Sequence, residues 1–255
     1  MKPKAHYTAN YLINPSHKVS INLIGAGGTG SNVLSGLAII DKALVALGHL
    51  GLDVTVYDDD KVTESNVGRQ LFYEADIGQY KATVLTQRIN RAFGVVWNSV
   101  NAKYDEGCNH ANITISAVDT VKSRMMIKKA LSREARTQFQ EELNPLYWID
   151  TGNGTSYGQV YVGSVKIVKQ PKSEQYDPVN MLQWPSEYFA EQKDEKTDGP
   201  SCSLAEALNK QDLLINRIVG NYACHTLWTM FREAKLFYKG IYINLKTLQT
   251  NPIQL

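Results

Sequence analysis

The chain has 255 residues, 43% of them hydrophobic, and its 27 basic and 25 acidic residues leave a net charge of +2. That composition supplies a core and excludes a disordered chain, and so even a charge balance gives no electrostatic reason to expect nucleic acid or a membrane surface as partner. No apolar run approaches the roughly 20 residues of a membrane-spanning helix, and the opening MKPKAHYTAN lacks the apolar core of a signal peptide, so the expectation is a soluble cytoplasmic protein.

Val19 to Ile24 reads as a first strand, followed by a glycine turn and a helix. On that helix Val33, Leu37, Ile40, Leu44 and Leu47 recur at helical spacing and are expected to face a sheet. LDVTVYD is a second strand ending at Asp58, YKATVLTQRINRAF a helix, VVWNSVNAKY a third strand, and NITISAVD a fourth ending at Asp119. TVKSRMMIKKALSREARTQFQEEL is helical, with Ser132 as a possible break, and LYWID and GQVYVGSVKIV are the fifth and sixth strands. The next stretch, about 170–203, is polar, aperiodic and holds four of the eight prolines, which marks a long crossover loop. A long helix or helix pair, SLAEALNKQDLLINRIVGNYACHTLWTMFREA, and a strand, GIYINLKTL, close the chain.

Strands alternating with helices predict an α/β fold: a Rossmann-like, doubly wound, mostly parallel sheet with a C-terminal helix and strand extension. No linker divides the chain, so residues 1–255 are expected to form one domain carrying the crossover loop. Ligands of such sheets sit outside the carboxyl ends of the strands. Gly25, Asp58, Asp119 and Asp150 each end a predicted strand and are expected on that rim.

Gly25, Gly27, Gly28 and Gly30 form G-x-G-G-x-G between strand and helix, where backbone can approach a phosphate and the helix start offers oriented N–H groups. A tight turn without ligand is the competing reading. No Lys-Ser or Lys-Thr follows the last glycine, so this is not a Walker A loop. Asp58 suits an acid that takes ribose hydroxyls, against the alternative of a solvated loop acid. Its distance from the glycines exceeds the usual spacing, so an insertion is expected around DKALVALGHLG. Glycine loop and acid alone fit an NAD(P)-dependent oxidoreductase. Beyond them, Ser65, Asn66, Arg69, Gln70 and Lys81 add polar donors and two cations, which suits a triphosphate. Asp119 is placed to hold Mg2+ through one carboxylate plus phosphate oxygens.

In order along the chain, LIGAGGTGS, DDDKVTESNVGRQLF, DIGQYKA and SAVDTVKSR resemble the ThiF/MoeB/ubiquitin-activating family over roughly residues 19–125. YWIDTGNGTSYGQVYV still looks like that family's next strands, with Gly158 at the position of its glycine. Within the family the chain is most similar to the ThiF-related member of the plasmid-borne PRTRC cassette. The resemblance implies adenylation of the C-terminal glycine carboxylate of a small ubiquitin-like protein by MgATP, followed in many members by transfer to a cysteine. It implies that Asp58 holds ribose, that Ser65, Asn66, Arg69 and Lys81 meet the phosphates, and that Asp119 serves Mg2+. Thr120 falls within the same nucleotide-binding set, and Asp60 and Gln70 support the loop. Arg69, Lys81, Asp119 and Cys202 are the catalytic candidates, and a homodimer is expected.

The chain departs from the family twice. No arginine precedes Arg69, so Lys2, Lys4, His6 or Lys18 replaces the partner-subunit arginine of related members, or nothing does. The zinc-binding C-x-x-C pairs of many bacterial members are also missing, so no zinc site is expected. A non-catalytic scaffold that binds nucleotide or partner is therefore a further alternative. With no H-E-x-x-H or G-x-S-x-G, metalloprotease and serine-hydrolase chemistry has no support.

Cys202 follows the crossover loop and directly precedes a predicted helix start, where a thiol pKa is lowered. It is the expected thioester cysteine, with a small buried residue as the alternative. Cys224 is expected in the core, and its neighbour His225 faces elsewhere, because adjacent helical residues diverge. Cys108 lies in a loop. Tyr176, Trp184, Tyr188 and Phe189 either grip the extended tail of a partner protein or pin the loop to the body.

Overall fold

The computed structural model describes residues 2–133, 144–184 and 211–255. In chain order these form β1 (Lys4–Tyr7), α1 (Asn10–Ile13), β2 (Val19–Ile24), α2 (Gly28–Ala46), β3 (Leu52–Tyr57), α3 (Lys81–Phe93), β4 (Asn98–Val100), β5 (Ile113–Ser116) and α4 (Val121–Leu131). There follow β6 (Tyr147–Asn153), β7 (Tyr157–Ser164), β8 (Asp177–Pro178), α5 (Ile215–Arg232), β9 (Lys235–Leu236), β10 (Tyr238–Asn244) and β11 (Gln249–Gln254).

Eight strands build the main sheet in the order β11-β10-β7-β6-β5-β2-β3-β4. The run from β6 to β4 is parallel, and β7, β10 and β11 continue it as antiparallel strands. The protein is thus an α/β protein with a mostly parallel, Rossmann-like sheet. β2 is flanked by β3 on one side and β5 on the other, so the winding reverses between β2 and β5, the position where such sheets open a crevice at their carboxyl ends.

β2, β5 and β6 are buried at nearly every position, polar residues included, because both faces of the sheet are covered. Leu23, Val54, Val56 and Ile115 join residues of α2, α3 and α5 in the larger core cluster, while Ile24, Tyr57 and Trp148 meet Ile127 and Leu131 of α4 in a second. α2 and α5 approach closely. A Cβ at Gly36 would collide with Cys224 Sγ, and one at Gly220 would lie 2.9 Å from Asn32 Cβ.

Several expectations need correction. Leu47 caps α2 and is 63% exposed, because the helix ends before it can turn that residue to the sheet. The third strand shrinks to Asn98–Val100; Trp97 instead enters the core and donates its indole N–H to Leu52 O at 3.2 Å. The fifth strand runs past Asp150 to Asn153, so Asp150 is completely buried rather than on the rim. The sixth begins at Tyr157 and ends at Ser164. α4 stops at Leu131 with Ser132 as its cap, and residues 134–143 lie outside the described residues. β1, α1, β9 and β11 carry no clear periodic signal, and the small sheet β8-β1-β9 forms from segments far apart in sequence. The extra separation between the glycines and Asp58 lies in α2 itself, which extends for 19 residues.

The described part of the crossover loop is pinned to the body. Trp184 packs edge-on against Trp148 at 5.9 Å and donates to Ser164 O at 2.8 Å, and Tyr176 meets Phe237 at 5.2 Å. Tyr188, Phe189 and Cys202 lie outside the described residues.

Candidate functional site

The glycine loop turns sharply after β2. Gly25 has φ +92°, a left-handed value that glycine adopts without strain, and a Cβ there would sit 2.5 Å from Ala117 O. A Cβ on Gly30 would run into Gly25 O, and one on Gly28 would lie 2.7–2.9 Å from the amide atoms of Asn216. Three of the four glycines therefore serve the protein's own packing. Gly27 differs: nothing stands within 4 Å of its Cβ direction, so the loop is open at this point.

The residues around that opening come from the carboxyl ends of β2, β3 and β5. Asp58, just past β3, accepts the Ala26 N–H through Oδ2 at 2.6 Å and the Asp60 N–H through Oδ1 at 2.8 Å, which ties it to the glycine loop. Burial pushes its carboxyl above the ordinary value, while the two N–H groups and Lys81 act in the opposite direction. Lys81, the first residue of α3, is buried and donates to Asp60 Oδ2 at 2.8 Å.

Between β3 and α3 the chain folds into two 3-10 turns, Glu64–Asn66 and Glu74–Asp76. Ser65 and Asn66 are buried in the first. Asn66 Oδ1 accepts the Thr63 N–H at 3.0 Å, and the Ser65 hydroxyl lies 3.0 Å from that of Thr63, so both side chains hold the turn. The turn in turn presents Arg69, whose Nε donates to Ser65 O at 3.2 Å. Burial lowers the Arg69 pKa and the Asp119 carboxylate raises it, which brings Arg69 and Asp119 into one electrostatic neighbourhood. A guanidinium keeps its charge under such a shift. Gln70 continues the loop backbone by donating its N–H to Asn66 O, and its Oε1 is buried without a partner. Asp119 is exposed just beyond β5, two residues after the Ala117 carbonyl that contacts Gly25, and Thr120 caps α4 by accepting the Ser123 N–H at 3.1 Å.

Asp58, Asp60, Arg69, Lys81 and Asp119 thus lie along one edge around the glycine loop. Asp150 does not. It accepts from Arg124 Nε at 3.0 and 3.1 Å and from Ser116 Oγ at 2.5 Å in a wholly buried network. His6 does not reach the site as a cation either: it is buried between Val179 O and the Tyr147 hydroxyl, and burial lowers its pKa. Lys4 donates to Leu255 O. Cys224 faces Val33 O in the α2–α5 contact, and burial pushes its thiol up to about 12. Cys108 packs in the second core cluster, its Sγ accepting the Asp105 N–H at 3.4 Å.

Sequence reasoning passed over Asn153, Gln211 and Asn216. Asn216 Oδ1 accepts from Thr29 Oγ1 at 3.0 Å and Asn153 Nδ2 at 3.2 Å, and its Nδ2 donates to Gln211 Oε1 at 2.8 Å. No local motif marks these amides, because what unites them is the docking of α5 on α2.

Chemically, the edge combines an open glycine cradle, a helix start, two cations and a carboxylate beyond them. That donor set fits a polyphosphate nucleotide. Among the described residues no group of three or more His, Cys, Asp and Glu could hold a metal ion.

The described residues include no helix long and apolar enough to cross a membrane. Two curated proteins are similar over part of the chain. Ubiquitin-activating enzyme E1 1 of Arabidopsis thaliana is 31% identical over 115 residues, covering 41% of this chain and 10% of that protein. Ubiquitin-activating enzyme E1 2 of Triticum aestivum is 30% identical over 148 residues, covering 50% and 13%. The chain spans about a tenth of the length of these relatives. Among solved structures, selenomethionine PaaA superposes with a TM-score of 0.61 at 12% identity, covering 95% of this chain and 65% of that one. MccB of E. coli with ATP gives 0.57 at 12% identity, covering 96% and 66%. These likenesses establish the fold. The model of the ThiF family matches residues 15–251, from just before β2 into β11, and on that span the chain belongs to the ThiF family.

Proposed function

We propose that this protein is an adenylyltransferase that uses MgATP to activate a carboxylate, and that the carboxylate is the C-terminal glycine of a small ubiquitin-like protein. What supports this reading is the linkage of these residues: Asp58 ties the Ala26 N–H beside Gly27 to Asp60, Asp60 pairs with Lys81, and Arg69 shares an electrostatic neighbourhood with Asp119. An NAD(P) site accounts for a cation beside a phosphate but leaves the distal carboxylate of Asp119 without a role. Solved MccB structures include complexes with ATP and with AMPCPP together with MccA, which supports nucleotide and partner meeting on this fold.

In the reaction a carboxylate oxygen of the partner's tail attacks the α-phosphorus, a new P–O bond forms, and the bond to pyrophosphate breaks. The nucleophile is already ionised at neutral pH, so the protein needs no general base and acts by positioning and charge. Asp58 accepts the ribose hydroxyls, Arg69 and Lys81 stabilise charge on the phosphate oxygens, and Gly27 lets backbone approach. Asp119 would hold Mg2+, which when bound would supply positive charge to the departing pyrophosphate. The Cys202 thiolate then attacks the acyl carbon; the C–S bond of the thioester forms, the bond from that carbon to the phosphate oxygen breaks, and AMP leaves. The protein works as a cytoplasmic homodimer, with residues 1–255 of each copy folding as one domain. Its likeness to the PRTRC-cassette member makes a small neighbour-encoded protein with a glycine-ended tail the first partner to try.

ATP–pyrophosphate exchange with that partner, beside calorimetry with MgATP and NAD, tests the reading. Arg69→Ala is expected to slow exchange by on the order of 10²–10³, Asp119→Asn to remove its Mg2+ dependence, and Cys202→Ala to leave exchange intact while eliminating a reductant-sensitive adduct. MgATP binding without exchange would leave a nucleotide-binding scaffold, and binding of NAD in place of ATP would replace the assignment altogether.

A further inference from the structure

We infer that Gln211 is a positioning residue for Arg69, and that through it the docking of α5 on the glycine loop sets affinity for the polyphosphate rather than for the nucleoside. This rests on the nucleotide reading above. Asn216 is the fixed point. It is buried, its amide sits against Gly28 where no Cβ fits, and its oxygen already takes two donors, Thr29 Oγ1 and Asn153 Nδ2. Its Nδ2 must then point at an acceptor, and Gln211 Oε1 is that acceptor at 2.8 Å. The pairing orients Gln211 in turn: its Nε2 points to Gly154 O at 3.4 Å, and its Oε1 also faces Arg69 Nη1 at 3.5 Å.

Arg69 is therefore held on two nitrogens, Nε by Ser65 O of its own loop and Nη1 by a side chain from the far end of the chain. Among the described residues Nη2 has no protein acceptor and is left for a ligand. The Nη1 contact is long, so its contribution is orientation: a neutral amide oxygen aims the guanidinium without neutralising it. A carboxylate in the same place would capture the cation. An amide is the side chain that satisfies Asn216 and Arg69 together while leaving the positive charge free for phosphate.

The test is calorimetric binding of MgATP and of adenosine to wild type, Gln211→Ala, Gln211→Glu, Arg69→Ala and the Gln211→Ala/Arg69→Ala pair, with thermal melts as the folding control. Gln211→Ala is expected to weaken MgATP roughly tenfold, to leave adenosine unchanged, and to have no further effect once Arg69 is alanine. Gln211→Glu is expected to weaken MgATP at least as much without lowering the melting temperature, because its carboxylate pairs with Arg69. Equal losses for MgATP and adenosine, or an effect that persists in the Arg69→Ala background, overturns the inference. A wild type that binds MgATP normally alongside an unaffected Gln211→Ala overturns it and leaves the nucleotide reading standing. A wild type that binds neither ligand overturns both.

Discussion

Lys81 Nζ donates to Asp60 Oδ2 at 2.8 Å, and the two side chains are 10% and 67% exposed, so a nearly buried cation is matched to an acid in solvent. Lys81 is also the first residue of α3, where the helix dipole disfavours positive charge. The position costs the fold something and is justified only if the charge is used. Lys81→Met is therefore expected to keep or raise the melting temperature while weakening MgATP at least roughly tenfold, the pattern of a site that trades stability for function. Loss of stability with unchanged MgATP binding would show that the lysine serves the fold instead.

Asp58 gives the pH dependence. Burial places its folded pKa above the unfolded value, so the folded state binds this proton more tightly than the unfolded chain does. The resulting stability is fully present below the unfolded carboxylate pKa and is lost as pH rises through the raised folded pKa. Asp58→Asn keeps an oxygen for the Ala26 N–H and removes the titration. Its melting temperature, relative to wild type, is expected to be more favourable at pH 7 than at pH 4, with nucleotide affinity reduced throughout. A difference that does not change with pH contradicts this account.

Cys224 makes a kinetic prediction. Its thiol is pushed up to about 12 by burial against Gly36 and Val33, so at pH 8 it is protonated, in a residue that is half-buried between α2 and α5. In a protein with Cys108 and Cys202 replaced by serine, labelling of Cys224 by a thiol reagent at pH 8 is expected to be far slower in the folded protein than in the unfolded one. The sign agrees with linkage: stability from the protonated thiol holds below the unfolded cysteine pKa and drains as pH climbs towards the raised value. Rapid labelling of the folded protein would place the thiol at the surface.

The parts of the fold that sequence showed well are those where periodicity and local chemistry coincide. β2, the glycine turn and α2 follow directly from an apolar run, glycines and helical spacing. So do β3 with Asp58 behind it and α3 beginning at Lys81. Asp119 and Asp150 show where this stops. Both close an apolar run in sequence, yet β6 continues for three residues because β7 pairs back along it, from Asn153↔Gly158 to Tyr147↔Ser164. That pairing buries Asp150, and Arg124, Ser116 and the sheet supply its partners. β1, β8 and β9 are short, and each depends on neighbours more than fifty residues away, so no window of sequence contains their cause. The site divides in the same way. Its charged rim comes from contiguous loops, while the Asn216–Gln211 amides behind it exist only once α5 has docked.

The glycine loop separates folding from binding at neighbouring positions. At Gly30 an added Cβ meets Gly25 O, which belongs to the tight turn and cannot yield without displacing β2 from Ala117. Gly30→Ala is expected to lower stability by about 1–3 kcal/mol, the scale of overpacking in a closed site. At Gly27 the backbone has φ −78° and ψ −148°, and the Cβ would project into open space. With no atom for the methyl to displace, Gly27→Ala is expected to cost less stability than Gly30→Ala. A methyl group in the cradle nevertheless keeps phosphate from the N–H groups at the start of α2, so MgATP binding should fall by at least roughly tenfold. Chemical denaturation and calorimetry on the two variants read these effects separately. If Gly27→Ala bound MgATP as wild type does, the opening at the loop would not be the phosphate site, and Arg69 and Lys81 would need another ligand to explain them.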